Sequence, residues 1–406
     1  MKRLILPLAF AALVAGLVLV VVAVATEGEF GTTSTFPSTA ATASLHPPDS
    51  DRLSKMRLWP MYGYNVARTF ANPFSRLSPP YQVTWELNVG DLIEFPPSVW
   101  GNRLYFNGGH GYVFCCNARS GRVVWRYRTG GKLASTPAVS QDTVYVSSMR
   151  GLLFAIDRHS GKLRWKFKTD SPTESSPLLW HGLVVFGSWD GTVYALDAAT
   201  GKAAWTFQAG GRVHSSPAVY DKHIYFGSYD GSVYCLNANG TLNWRHRVRH
   251  MFFLKDRFYT TPSVAYGTVY IGSLVGNMYA LDAYNGNQRW SRTIGGKIYS
   301  STAVANGQVF FGSYNGVFYS LDAETGQIVW TFSDGQGVSG APSVINGRVY
   351  FSTFAGRTYA ASVRTGRVVW EFPDGRYSPA TTCGQSLILT GEESLYKLVM
   401  KPARAE

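Results

Sequence analysis

Tryptophan recurs in this chain as Trp85, Trp125, Trp165, Trp205, Trp244, Trp290, Trp330 and Trp370, at spacings of 40, 40, 40, 39, 46, 40 and 40 residues. Self-similarity at such a period constrains a fold more than local propensity does, because each unit must bury its apolar face against a copy of itself. Around each tryptophan the same phrase returns. The clearest copy runs from Ser215 as SSPAV, HIYFGS, the turn Tyr229-Asp230-Gly231, SVYCLNA and LNW. The copy before it reads SSPLL, VVFGS, Trp189-Asp190-Gly191, TVYALDAATG and KAAW. Each copy holds four short alternating segments parted by Gly, Asn or Asp turns, which are strand and hairpin signals.

Four strands in roughly 40 residues make one β-propeller blade. A chain of 406 residues is long for one compact core, and a ring of units that pack only on their neighbours avoids that limit. Aromatic residues at 15% and 42 glycines suit many short strands and turns. The ends do not each hold a complete blade. After Trp370 the chain offers three strands, near 378–382, 386–390 and 395–400, whereas Trp85 lies in a strand-like segment, 81–89, with no three strands before it. The sequence therefore predicts an all-β, eight-bladed propeller over 58–400, with four-stranded blades, closed by the N-terminal segment completing the last one, and a short tail at 401–406.

The tryptophans fit a structural role, filling the gap between neighbouring blades while the indole N–H finds a partner at the rim. Asp157, Asp197, Asp282 and Asp322 each precede a turn ending in Gly, where a carboxylate can bond the backbone two residues on.

The N-terminus reads as an export signal. Lys2 and Arg3 precede Leu4 to Ala25, a run of 22 residues without a charged or hydrogen-bonding side chain. About 20 such residues span a bilayer, so length predicts an uncleaved transmembrane helix, or signal-anchor, over 1–25. Ala23-Val24-Ala25 also resembles a cleavage site, which would release a secreted protein. The positive residues before the run, and Glu27 and Glu29 after it, place the bulk of the chain outside the cell membrane. Residues 26–57, rich in Ser, Thr and Pro, read as a solvated tether. The net charge of +13 suits anionic lipid or wall polymer. Nucleic acid is not expected, since neither an RNA-binding signature nor a recognition helix occurs in an exported chain.

The run Ala195-Leu196-Asp197-Ala198-Ala199-Thr200-Gly201-Lys202-Ala203-Ala204-Trp205 resembles the repeat of pyrroloquinoline-quinone (PQQ) dehydrogenases and of the non-enzymatic BamB-like propellers of outer-membrane assembly. It recurs as Ile156-Asp157…Gly161…Trp165, Leu281-Asp282…Gly286…Trp290 and Leu321-Asp322…Gly326…Trp330. The blades ending at Trp125, Trp244 and Trp370 depart from it, with Asn117, Asn237 and Ser362 in the Asp place. The lead-in Trp59-Pro60-Met61-Tyr62-Gly63, then Ala67-Arg68-Thr69, is similar to the opening of such propellers. The resemblance implies the fold strongly and function weakly. It points to the BamB-like branch rather than the full-length dehydrogenases, whose insertions cap the cofactor and supply a Ca²⁺ site and a catalytic Asp. Here the blades are near-minimal. No lipoprotein cysteine follows the apolar run, so the partner of the assembly propellers is not carried over.

Candidate chemistry is sparse. Cys115-Cys116 is similar to the adjacent-cysteine disulfide of some quinoprotein dehydrogenases, but the pair falls in a third strand, where neighbouring side chains point to opposite faces. Buried core residues are expected there. Asp190 and Asp230 occupy the second turn of their blades, but the equivalents His110, Arg150, Val275, Asn315 and Ala355 make no ring of Ca²⁺ ligands. No metal site and no catalytic set is expected. The spacing of 46, between Trp244 and Trp290, places extra residues after an outer strand, in a stretch holding Arg245, Arg247, Arg249, His250, Phe252, Phe253, Lys255 and Arg257. Strand alternation brings that loop to the face that carries Trp189, Tyr229, Tyr314 and Phe354, together with His110, Met149 and Leu274. Basic and aromatic residues are typical interface anchors. The expectation is a membrane-anchored extracytoplasmic scaffold without a cofactor, binding an envelope protein or anionic polymer. The alternative is a PQQ-binding oxidoreductase or quinone sensor.

Overall fold

The computed structural model describes residues 58–248, 256–377 and 380–402. The segment 1–25, the tether 26–57 and residues 403–406 of the tail lie outside the described residues. Eight antiparallel sheets follow one another, each with an inner strand, two middle strands and an outer strand. The first complete blade runs through Ser98–Trp100, Arg103–Asn107, Tyr112–Asn117 and Val123–Arg128. The last consists of Ala380–Cys383, Ser386–Thr390 and Ser394–Met400, and its outer strand is Tyr81–Asn88. That strand pairs antiparallel with Ser394–Met400, from Tyr81 opposite Met400 to Asn88 opposite Ser394. The inner strand Ala380–Cys383 abuts Ser98–Trp100, so the ring closes as the incomplete ends require.

Inner and middle strands are buried almost throughout, whereas outer strands alternate between exposed and half-buried positions, as in Leu163–Lys168. The core is therefore a circle of wedges between sheets. Seven of the eight wedges contain one tryptophan lying on a glycine of the next blade: Trp85 on Gly121, Trp125 on Gly161, Trp165 on Gly201, Trp205 on Gly240, Trp244 on Gly286, Trp290 on Gly326 and Trp330 on Gly366. The indole N–H donates to a backbone carbonyl beside that glycine, as Trp165 Nε1 does to Ala198 O at 3.2 Å and Trp290 Nε1 to Ala323 O at 3.0 Å. Trp244 keeps the arrangement despite the longer interval after it, donating to Ala283 O at 2.9 Å. The extra residues therefore leave its wedge undisturbed. Trp370 differs because the last blade takes its outer strand from elsewhere; its ring meets Tyr81 edge-on at 5.3 Å. The turn carboxylates behave as expected. Asp282 Oδ1 accepts the N–H groups of Tyr284 and Asn285, and Asp322 Oδ1 those of Glu324 and Thr325.

The Ser/Thr-rich phrase before each inner strand links blades. Thr136 N–H donates to Ser176 Oγ at 3.0 Å, Ser176 N–H to Ser216 Oγ at 2.8 Å, and Thr261 N–H to Ser301 Oγ at 3.1 Å. Cys115 and Cys116 are both buried free thiols in a middle strand, Cys115 in one inter-blade cluster and Cys116 in the neighbouring one. Burial pushes both thiols up from their usual range.

The lead-in does more than open the chain. Inner strands leave an unpaired edge toward the axis, and 58–72 covers it. Leu58–Trp59 pairs with Val99 and Trp100. The carbonyls of Pro60, Val66, Ala67, Thr69 and Phe70 then accept from Val139, Val219, Val264, Val304 and Val344, in the inner strands of five blades. Ala71–Asn72 ends the circuit parallel to Val344–Ile345. At its centre Arg68 is fully buried. Its guanidinium donates to the carbonyls of Pro217, Ser176, Pro177 and Tyr62. Burial lowers its pKa to about 9, which leaves it charged at neutral pH.

Candidate functional site

At one end of the ring, two kinds of loop converge. One is the turn between the middle strands of each blade; the other leads from an outer strand to the next inner strand. The second kind places Glu94, Ala134, Glu174, His214, Tyr259, Tyr299, Ser339 and Arg376 at the same register position of successive blades. Between them lies a cavity of ≈ 320 Å³, lined among others by Glu94, Glu174, His214, Tyr259, Tyr299, Tyr314 and Tyr377. Tyr62 of the lead-in also lines it, so the plug of the axis forms part of the cavity wall.

Eight rings form an unbroken arc around this funnel. Trp189 lies 4.6 Å from His214, which stacks on Tyr229 at 4.2 Å and meets Tyr259 at 5.4 Å. The chain continues from Tyr259 to Tyr299 at 5.2 Å, Tyr299 to Tyr314 at 4.7 Å, Tyr314 to Phe354 at 5.5 Å and Phe354 to Tyr377 at 6.1 Å. Guanidiniums sit over the arc: Arg212 over Trp189, Arg257 over Tyr229, and Arg376 over Phe354 and Tyr377. Aromatic–aromatic and cation–π contacts hold these side chains in place, at about 0.5–1.5 kcal/mol each.

The carboxylates differ in their surroundings. Glu174 is held at both oxygens, by His214 Nδ1 at 2.9 Å and by the Tyr259 hydroxyl, which donates at 2.6 Å. Burial and the Glu174 charge together push the Tyr259 hydroxyl well above the usual phenol range, so it stays protonated. Burial, then Glu174, likewise pushes Tyr229 up to about 12. Glu94 has no hydrogen bond or ion pair among the described residues. Burial raises its pKa, with Lys132 opposing and Glu174 adding to the rise.

Of the residues singled out in the sequence, Trp189, Tyr229, Tyr314, Phe354 and Arg257 come together in this arc. Arg245 and Arg247 do not; with Trp244 they belong to the outer strand Leu242–Arg247 rather than to the loop after it. Arg245 is engaged by Asp230 at 2.6 Å and lies over Tyr234. Asp230 also accepts from Ser232 N–H and the Tyr234 hydroxyl, and Asp190 from Thr192 N–H and the Tyr194 hydroxyl, so both carboxylates shape turns. His110 pairs with Asp91 instead of joining the rings. Arg249, His250, Phe252, Phe253 and Lys255 lie outside the described residues. Sequence reasoning missed Glu94, Glu174, His214, Tyr259, Tyr299, Tyr377, Arg212 and Arg376. A signal existed for most of them: the position just before the Ser/Thr-rich phrase changes identity from blade to blade while its surroundings repeat.

The sequence model of the family described as outer membrane protein assembly factor BamB matches residues 109–300 and 295–398. No curated protein sequence matches the chain. Among solved structures, BamB from Moraxella catarrhalis is 16% identical with a TM-score of 0.68, covering 79% of this chain and 100% of that one. A europium-containing methanol dehydrogenase is 14% identical with a TM-score of 0.77, covering 86% of this chain and 100% of that one. The quinohemoprotein alcohol dehydrogenase from Comamonas testosteroni is 14% identical with a TM-score of 0.75, covering 90% and 84% respectively. At such identities these likenesses concern the fold alone.

Proposed function

The chain belongs to the family described as outer membrane protein assembly factor BamB, and from that premise we propose that it is a non-catalytic scaffold holding another envelope protein against its ring-lined face. The observation that carries this reading is the arc itself, eight rings with guanidiniums over four of them on one end of the propeller. Aromatic and arginine side chains dominate the energetics of protein interfaces. The net charge of +13 favours an acidic partner surface and speeds its approach. The apolar run after Lys2 and Arg3 supports a single-pass anchor in the cell membrane with the propeller outside.

The quinone reading fits the funnel poorly. PQQ is a tricarboxylate, and the funnel already presents Glu94 and Glu174 to its cavity. Among the described residues no group of three or more His, Cys, Asp or Glu side chains could hold a metal ion. Cys115 and Cys116 are packed between blades, away from this cavity's lining. These features favour reading the likeness to dehydrogenases as one of scaffold.

The test is charge reversal of Arg212, Arg257 and Arg376 to Glu in the full chain, followed by capture of partners from envelope extract. Loss of capture by about tenfold or more is expected. Capture equal to that of the unaltered chain refutes the reading.

A further inference from the structure

We propose that the funnel cavity binds a compact organic ammonium ion, caged by Tyr259, Tyr299 and Tyr314 and neutralised by Glu94 and Glu174. The proposal rests on the reading above in taking this face as the ligand-bearing one, and it assigns a small-molecule class to the centre of that face.

The geometry separates a cation from its rivals. Tyr259 and Tyr299 are inclined by 73° to each other, and Tyr299 and Tyr314 by 42°. Such rings present faces from several directions, which suits a rounded cation; a sugar ring is better served by one flat platform. The face of an aromatic ring carries partial negative charge, and aromatic cages recognise alkylated ammonium groups on that basis. The faces of Trp189, Tyr229 and Phe354 are already occupied by guanidiniums. Among the described residues, none lies over Tyr259 or Tyr299.

Charge points the same way. Two carboxylates line one cavity, and the charge of Glu174 disfavours ionisation of Glu94. Glu174 is satisfied by His214 and Tyr259. Glu94 is left without a hydrogen bond or ion pair among the described residues, although burial already disfavours its charge. A half-buried carboxylate without a protein partner is held in its charged form at some cost, and a bound cation offsets that cost. A buried polar atom at this cavity also goes unpartnered: His214 is only 8% exposed, lines the cavity, and its Nε2 has no hydrogen-bond partner. An anionic ligand would face the same two carboxylates, and among the described residues no Arg or Lys lines the cavity to compensate. The volume of ≈ 320 Å³ suits a small ligand.

The test is calorimetric titration of the full-length chain with choline and with its neutral carbon analogue, in which a tert-butyl group replaces the trimethylammonium. Choline is expected to bind saturably and the carbon analogue about tenfold more weakly or not at all. Glu94→Gln and Tyr299→Leu should each weaken choline binding by about tenfold, with unchanged circular dichroism as the control for folding. Equal affinity for the two probes, no heat with either, or binding of glucose in place of choline overturns the proposal. The arginine reversal keeps the two readings apart. If it abolishes partner capture while choline fails to bind, only the ammonium site is wrong. If choline binds the unaltered chain and capture survives the reversal, the partner surface is wrong and the site stands.

Discussion

The indole of Trp165 lies on Gly201, where an added Cβ would come within 2.6 Å of the ring. Gly201 also has φ +73°, a backbone conformation that L side chains rarely adopt. The same pairing recurs from blade to blade, so the repeat length and the closure of each wedge are one property. Gly201→Ala should therefore destabilise by about 1–3 kcal/mol through overpacking and backbone strain. Trp165→Ala should cost about 3 kcal/mol or more through the void it leaves. In urea unfolding the double variant should lose less than the sum, because the ring that clashes with the new methyl is gone. Strict additivity would mean that the contact is incidental.

This contact explains why the fold was legible in the sequence. Trp at a near-constant interval and Gly four residues before it are local demands repeated in nearly every blade, joined in four of them by Asp before the turn, and the three strands after Trp370 needed only Tyr81–Asn88 to complete them. The lead-in was less legible. Nothing in Trp59–Thr69 is periodic, because the segment follows the circumference of a finished ring and takes its hydrogen bonds from strands up to several blades away. The funnel was hidden for the opposite reason. Glu94, Glu174, His214, Tyr259 and Tyr299 share one position of the repeat, and a search for what repeats discards what differs there. The second turns, with Trp189, Tyr229, Tyr314 and Phe354, and Arg257 from the long loop were the sequence features that pointed to the end of the ring where this cavity lies.

Arg68 supplies a second prediction. Its guanidinium bridges carbonyls of the lead-in and of two blades, Pro217 at 2.9 Å and Ser176 and Pro177 at 3.2 Å, at a fully buried site. Arg68→Ala leaves those carbonyls unpaired and should cost about 3–5 kcal/mol. Arg68→Lys should rescue little, because a single ammonium lacks the planar fork that reaches several acceptors at once. A thermal melt in which the Lys variant matches the unaltered chain would contradict this account of the plug.

Cys115 and Cys116 supply a third. Both are free and buried, and burial raises both thiols, so the reactive thiolate is scarce in the folded state. Alkylation at neutral pH should spare both positions in the native protein and label both after unfolding without reductant. Mass spectrometry reads the outcome directly. Failure to label both after unfolding would indicate a disulfide between them.

The fourth concerns pH. The folded state holds Glu94 with a pKa above the ordinary value of 4.5, chiefly through burial. A carboxyl that binds its proton more tightly when folded loses stability as pH rises, from the unfolded value up to the folded one, and the whole penalty remains above that. Glu94→Gln removes the titration. The variant should melt higher than the unaltered chain at pH 7, and the difference should shrink to nothing as pH falls below the ordinary carboxylate range. An equal or lower melting temperature at pH 7 would show that Glu94 is not held at a cost, which the ammonium site requires.

The account centres on a face that meets a partner, and photo-cross-linking tests this most directly. Tyr314, in the arc, and Ile328, on an outer strand, are 45% and 47% exposed, so accessibility does not distinguish them. A photoreactive amino acid placed at each in the full chain, irradiated in intact envelopes, should give a discrete adduct from position 314 and none from 328. No adduct at 314, or the same adducts from both positions, would contradict the central claim.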